Sequence, residues 1–199
     1  MQRAILNGDT VTGVTVHRLL RQLDAGPILA RAEIPIPIDA DSAELLKTLA
    51  LAGSKIAVQS VESIIEGNYQ FSEQNSEFAT YAAKLEKAEA QISWDLGCLS
   101  VHNTVRAFAS SFGAFVTIGG KRLKVWRTSL VSLSSLVSPS NAEETPGKIL
   151  SLADGDPVVA CGDGAVRLME VQNEGKRRVS GAEWRKGARL EEGDVLTAD

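Results

Sequence analysis

Residues 8–29 read GDTVTGVTVHRLLRQLDAGPIL, and the order of residue types predicts two strands joined by a turn. Residues 12–18 alternate β-branched with small or polar side chains, which is typical of a strand with Val14 and Val16 on one face. The tetrapeptide LDAG at 23–26 predicts a turn, because an Asp side chain can bond its own backbone and Gly allows positive φ. Residues 27–38 form a second strand region, and its prolines confine the far end to an edge.

A long helix is expected next. Residues 39–42 supply N-cap chemistry, and apolar residues then recur close to a 3.6-residue period until Gly67 and Asn68 end the helix. Two strands and a covering helix describe an α/β layer over residues 1–68. This piece is too small to be a complete α/β domain.

Residues 69–96 are polar and are interpreted as a linker, and residues 97–199 have a different pattern. A short amphipathic helix over 96–108 precedes short strands expected at 114–118, 123–129, 147–152, 157–160 and 165–171, with Gly-rich hairpin turns between them. The Ser-rich residues 132–144 predict a mobile loop. One helix with several short strands predicts a small β-barrel of undetermined type.

Composition limits the classes of function. No apolar run approaches the roughly 20 residues that span a bilayer, and two cysteines are too few for a disulfide framework or a metal site. The net charge of −4 is not that of a strong nucleic-acid binder. The charge is uneven, however: residues 1–96 carry 8 Lys/Arg and 13 Asp/Glu, whereas residues 97–199 carry 13 and 12. This asymmetry fits two domains with different partners.

Two sets of residues are candidates for function. Asp24 lies in the LDAG turn, where on its own it is more often turn chemistry than catalysis. Basic residues cluster in two places, and local positive charge is sufficient for phosphate contact; the clusters comprise Lys121, Arg122, Lys124 and Arg127 on an expected hairpin, and Lys176, Arg177 and Arg178 further along the chain. His17 and His102 match no nucleophile–base or metal spacing and are interpreted as structural.

Three motifs resemble those of the folate-dependent formyltransferases. GDTVTGVT followed by LDAG is similar to that family's second signature, and residues 12–24 keep its spacing without a gap. TYAAKLEKAEAQISW at 80–94 and GKRRVSGAEW at 175–184 resemble the linker and a C-terminal motif of the members that act on methionyl-tRNA. By this resemblance, the expected fold is the C-terminal part of a Rossmann-like domain (1–68), followed by a linker (69–96) and an OB-like barrel (97–199).

The resemblance also implies an activity. It makes Asp24 the family's catalytic carboxylate, and it places Leu20, Arg21, Gln22, Leu23 and Asp24 in the wall of the folate pocket. The co-substrate would be formyl-tetrahydrofolate, with no metal. The substrate would be initiator methionyl-tRNA, whose backbone would contact Lys121, Arg122, Lys124, Arg127, Lys176, Arg177 and Arg178.

The same resemblance sets further expectations. The family's catalytic Asn and His belong to a motif that precedes the segment matched here, so the chain is expected to be part of a longer enzyme and inactive alone. A monomer is expected, in the cytoplasm of a bacterium or in a mitochondrial or plastid matrix. Two other functions stay open: another folate formyltransferase, such as one acting on a sugar nucleotide, or a noncatalytic RNA-binding remnant.

Overall fold

The computed structural model describes residues 1–131, 145–152 and 155–196. The first part contains helix α1 (Gln2–Asn7), strands β1 (Val11–His17) and β2 (Ile28–Pro35), and helix α2 (Ser42–Ile65). The two strands pair in antiparallel fashion. The strand–turn–strand–helix order expected from the sequence is confirmed. The expected mobile loop at 132–144 lies outside the described residues.

Helix α2 begins where its sequence provides a cap. The Asp41 carboxylate accepts from the backbone amides of Ala43 and Glu44, and the Glu44 side chain accepts from the Asp41 amide. This reciprocal capping box satisfies amides that would otherwise be unpaired at the helix start. The helix packs on β1 at Gly53, where an added Cβ would lie 3.2 Å from Val14. The helix thereby covers one face of the β1–β2 pair.

The second part is a mixed α/β unit built on one antiparallel sheet. Helix α3 (Cys98–Phe108) precedes β3 (Ala114–Ile118), β4 (Lys121–Val131), β5 (Ile149–Ser151), β6 (Val158–Cys161), β7 (Gly164–Asn173) and β8 (Val179–Ser180), and helix α4 (Gly181–Ala188) follows. The strand order is β3-β4-β7-β6-β5, with β8 on β7. The expected strands are present, and β4 and β7 are longer than the sequence pattern indicated.

The sheet is not closed into a barrel by strand pairing. Within the described residues, no ladder joins its edge strands β3 and β5. Trp94 instead spans the gap: Ile92 donates to the Phe115 carbonyl at 2.7 Å on the β3 side, and the Trp94 indole N–H donates to the Leu196 carbonyl at 2.7 Å. The segment at 193–196 in turn forms backbone hydrogen bonds with Gly147 and with Ile149, the first residue of β5. The Trp94 side chain and the segments around residues 92 and 196 therefore connect the open edges.

Helix α3 contacts both parts of the chain. Its Ala107 joins Ile5, Ile36 and Leu45 in a small apolar cluster. Arg106 is buried and donates to the carbonyls of Pro37 and Ala40, at 3.3 and 3.0 Å. The division into domains at 68 and 97 stays a prediction, and α3 is the element through which the two parts pack.

His102, on the same helix, is buried and fully hydrogen-bonded. Its Nδ1 lies 2.8 Å from the Thr128 hydroxyl and its Nε2 lies 2.9 Å from the Ile38 carbonyl. Burial is the main cause that lowers the pKa of His102, and it outweighs the hydrogen bond to Ile38 and the charge of Asp39. The group is therefore neutral and structural near pH 7.

We expect the free energy of unfolding to fall as the pH is lowered from 7.5 to 5.5. The unfolded chain then binds a proton at His102 more readily than the folded chain does, and stability follows the difference in bound protons. Urea titrations at the two pH values measure the change. His102→Gln should reduce this pH dependence, and an unchanged dependence in that variant would contradict the assignment.

No helix among the described residues is long and apolar enough to cross a membrane. Cys98 is half-buried and Cys161 is buried, and both are free thiols. Burial raises the pKa of Cys161 to about 12. Because the thiolate is the reactive form of cysteine, Cys161 is chemically inert at neutral pH.

Candidate functional site

The loop between β1 and β2 carries the candidate catalytic residue. It is closed at its base, where the Arg18 amide donates to the Pro27 carbonyl at 3.0 Å. Gly26 is required there, because a Cβ at this position would lie 1.8 Å from the Arg18 carbonyl oxygen. The LDAG turn thus holds Asp24 on a short, tightly closed loop.

Asp24 has an uncommon backbone conformation and an accessible carboxylate. Its φ of 54° is in the left-handed region, which Asp adopts more readily than most non-glycine residues. Its side chain is 96% exposed, and Oδ1 lies 3.8 Å from His17 Nε2. His17 Nδ1 lies 3.1 Å from the Arg18 carbonyl. The carboxylate therefore faces solvent with one imidazole beside it.

The position of His17 is not evident from the sequence. The sequence predicts a structural residue of the strand, and in the structure His17 lies next to Asp24. No spacing rule would have found this pair, because the six residues between His17 and Asp24 could take many conformations. The strand alternation of β1 and the closure at Pro27 together bring the two side chains to one side of the loop.

The residues expected to line a folate pocket lie in one exposed stretch. Leu20, Arg21, Gln22, Leu23 and Asp24 are all solvent-accessible. Leu19 and Leu23 are each 87% exposed, which is a large apolar surface for so short a loop. The loop therefore presents apolar surface beside the Asp24 carboxylate.

A segment of the linker, residues 69–74, lies against this loop, and we call it the strap. Ser72 exchanges backbone hydrogen bonds with Ile28, at 2.7 and 2.9 Å. The Arg18 guanidinium carbon lies 4.3 Å from the centre of the Phe71 ring. The Gln74 side-chain amide donates to the carbonyls of Asp24 and Gly26, at 2.9 and 2.6 Å. The strap was expected to be only a connection, because its polar composition carries no signal of these contacts.

The two basic clusters meet around one aromatic side chain. The Arg178 guanidinium carbon lies 3.4 Å from the centre of the Trp126 ring, and Lys124 Nζ lies 5.3 Å from it. The Trp126 indole N–H donates to the Gln172 side chain at 3.0 Å, and Gln172 donates to the Lys176 carbonyl at 2.7 Å. Trp126 thus contacts one member of each cluster, and we call the surface that the two clusters form around it the basic face.

The other members of the basic clusters are exposed, and some have acidic neighbours. Arg122 stacks on Phe115 at 4.6 Å. Arg177 pairs with Glu183 at 2.6 Å, and Arg178 lies 3.9 Å from Glu170. Because these pairs are solvent-accessible, they contribute little free energy and can be exchanged for a phosphate. Lys121, Arg127 and Lys176 are exposed.

A shallow pocket of about 380 Å³ adjoins the basic face. Val179 and Trp184 form its apolar part, and Lys176, Arg177 and Glu183 are among its polar lining residues. Across the described ranges, no group of three or more His, Cys, Asp or Glu side chains is arranged to hold a metal ion.

Two family models match the chain. The model described as "Formyl transferase" matches residues 1–61, and "Formyl transferase, C-terminal domain" matches residues 84–189. The chain belongs to the formyl transferase family. The first match contains the Asp24 loop and the second contains the basic face, so both candidate regions lie on segments that the family models describe.

Relatives and solved structures agree with this family. A methionyl-tRNA formyltransferase of Synechococcus elongatus is 34% identical over 97% of the chain, which spans 62% of that protein's length. HypX from Aquifex aeolicus, solved in complex with tetrahydrofolic acid, has a TM-score of 0.68 at 19% identity over 100% of this chain and 36% of its own. WlaRD, a sugar 3N-formyl transferase, has a TM-score of 0.63 at 21% identity, covering 88% of this chain and 59% of its own. These structures support the formyltransferase fold.

Proposed function

We propose that this chain is the distal part of an enzyme that transfers the formyl group of formyl-tetrahydrofolate to the amine of methionyl-tRNA. The observation that carries the proposal is the joint presence of an accessible Asp24 on a closed loop and a basic face on the second part. The similar Synechococcus elongatus protein is a methionyl-tRNA formyltransferase, and the similarity spans 97% of this chain.

The reaction explains why a carboxylate is needed. The amine nitrogen attacks the formyl carbon, a new C–N bond forms, and the bond from that carbon to the folate nitrogen breaks. The amine loses a proton and the folate nitrogen gains one. Asp24, exposed and 3.8 Å from His17, would accept and return a proton, which is general acid–base catalysis.

The folate would lie against the loop. The exposed side chains of Leu20 and Leu23 would cover one side of a pteridine ring, and Arg21 and Gln22 would contribute polar groups. By family resemblance, the oxyanion formed at the formyl group is held by an Asn and a His that have no counterpart among these 199 residues. Asp24 alone therefore does not make a complete site.

The basic face would contact the tRNA backbone. Phosphate contacts position a nucleic acid without reading its sequence, so this surface would bind tRNA weakly and with little preference among tRNAs. We also propose that residues 97–199 form an OB-like barrel completed through Trp94, and that the enzyme is a monomer. Its compartment would be the cytoplasm in a bacterium, or a mitochondrial or plastid matrix in a eukaryote.

The first alternative is formyl transfer to a sugar nucleotide, which the fold shared with WlaRD keeps open. The second is an RNA-binding protein without catalysis. The basic face favours tRNA over a sugar nucleotide, because it presents charges on the second part of the chain that a small substrate at the Asp24 loop would not need. A measurement of formyl transfer distinguishes the enzyme from a noncatalytic RNA-binding protein.

We expect the variant K176A/R177A/R178A to bind tRNA more weakly than the unchanged 199-residue chain. Each lost phosphate contact should also reduce the slope of log affinity against log salt by roughly 0.7–0.9. Affinities at several salt concentrations, with circular dichroism to confirm folding, give both quantities.

The matched control is R31A/K47A/K55A, which removes the same charge from exposed positions on β2 and α2. It should leave both quantities nearly unchanged. If the folded test variant and the control behaved alike, the basic face would be an ordinary solvated surface and the tRNA proposal would lose its support in the second part.

A further inference from the structure

We infer that Gln74 is a positioning residue for Asp24, an inference that rests on the proposed function. Its side-chain amide nitrogen donates to the carbonyls of Asp24 and Gly26 at 2.9 and 2.6 Å. Both carbonyls belong to the LDAG turn that carries the catalytic carboxylate. Gln74 is 50 residues away along the chain, so the contact is made by the fold and not by local turn geometry.

The backbone at Asp24 needs such support. A φ of 54° is uncommon for a residue with a Cβ, and conformations of this kind persist only where the surroundings over-determine them. Within the loop, the closing backbone bond joins Arg18 to Pro27, and it does not reach Asp24. The two bonds from Gln74 fix the turn at the residue itself and at the residue two positions later.

The strap brings Gln74 to this position through independent contacts. Ser72 pairs with Ile28, the first residue of β2, in an antiparallel bridge, and the Arg18 guanidinium stacks on the Phe71 ring. Tyr69 packs edge-on against Phe71, with ring centroids 5.7 Å apart. Arg18 and Ile28 lie at the two ends of the loop. The strap therefore contacts both ends of the loop independently of the Gln74 side chain.

The consequence for catalysis is geometric. Gln74 touches backbone oxygens, and its polar hydrogens do not face the carboxylate. It therefore sets where the Asp24 carboxylate stands relative to His17 and to the substrates, without taking part in proton transfer. Misplacement of a catalytic group by about 1 Å can cost as much as 100-fold in rate. Loss of Gln74 should accordingly lower kcat and leave substrate binding largely intact.

The first test uses the 199-residue chain and needs no activity. In Gln74→Ala, hydrogen exchange at the Arg18 amide, which closes the loop, should be roughly tenfold faster than in the unchanged chain, since two hydrogen bonds that hold the loop are lost. Gln70→Ala is the matched control, because Gln70 is an exposed glutamine of the same strap. Equal exchange in Gln74→Ala and Gln70→Ala would overturn the inference.

The second test measures turnover in a chimera, in which the segment of the Synechococcus elongatus relative that precedes the region of similarity is joined to Met1. Gln74→Ala should lower kcat roughly 10- to 100-fold and change KM for methionyl-tRNA less than about twofold. Gln74→Asn, whose shorter amide can still donate, should recover part of the loss. A kcat equal to that of Gln70→Ala would overturn the catalytic role.

Failure of the proposed function and failure of the positioning role of Gln74 give different results. If Asp24→Asn leaves the chimera fully active, or if the chimera forms no product, the proposed function fails, and Arg18 exchange still reports whether Gln74 holds the loop. If Asp24→Asn abolishes turnover while Gln74→Ala does not change it, the proposed function stands and the positioning role is wrong.

Discussion

Asp24→Asn in the chimera should reduce formyl transfer to methionyl-tRNA by roughly 10³- to 10⁴-fold. Asn keeps the shape and the turn chemistry of Asp but cannot accept a proton, and removal of one carboxylate from a catalytic triad has effects of this size in serine proteases. The 199-residue chain without the added segment should form no product. Initial rates of N-formylmethionyl-tRNA formation measure both.

The control for this prediction is Glu62→Gln, which removes another carboxylate from the first part. Glu62 is an exposed residue of α2, outside the motifs that resemble the family. Its replacement should change the rate little. Equal rates for the two variants would contradict the assignment of Asp24, and turnover by the 199-residue chain would contradict the need for further catalytic groups.

Trp94→Ala should lower the free energy of unfolding by roughly 3–5 kcal/mol, which is the usual cost of deleting a buried tryptophan. The side chain is 4% exposed and joins the main apolar core. It also makes the one described hydrogen bond between the segments that border β3 and β5. Urea unfolding followed by circular dichroism measures the change.

Two variants separate packing from the hydrogen bond at Trp94. Trp94→Phe retains most of the ring but leaves the Leu196 carbonyl without its donor, which should cost roughly 1–3 kcal/mol. Leu96→Ala truncates a nearby side chain that is 51% exposed and should stay within about 0.5 kcal/mol. A Trp94→Ala variant as stable as Leu96→Ala would contradict the role of Trp94 in connecting the edges.

Local signals in the sequence predicted local structure well. The cap at Asp41 marks the start of α2, and the Gly119-Gly120 pair marks the β3–β4 hairpin. Each works because a few adjacent residues determine the backbone conformation. The bounds expected for β3 are also the observed ones. In contrast, β4 and β7 extend beyond their expected ends, since their long mutual ladder supplies pairing that single-strand propensity does not show.

Contacts between residues far apart in the sequence could not be predicted from local patterns. Trp94 was assigned to the linker, and its place between the sheet edges depends on segments 102 residues apart. The contact of Gln74 with the Asp24 turn and the approach of His17 to Asp24 also depend on how the chain folds back. The two basic clusters were identified, but nothing in their sequence indicates that Trp126 unites them.

The resemblance to formyltransferases is what located Asp24. As a residue in an Asp-x-Gly turn, it has no feature that distinguishes catalysis from turn formation. The structure adds its exposed carboxylate, its left-handed backbone and its two neighbours, His17 and Gln74. The family model that matches residues 84–189 establishes the family independently of those contacts, and a second model matches residues 1–61.

The most direct measurement supplies the chimera with formyl-tetrahydrofolate and an equimolar mixture of methionyl-tRNA and dTDP-3-aminofucose, and identifies the formylated product by mass spectrometry. We predict N-formylmethionyl-tRNA in at least tenfold excess, lost in Asp24→Asn. Formylation of the amino sugar in preference to the tRNA, or no Asp24-dependent product of either kind, would contradict the account.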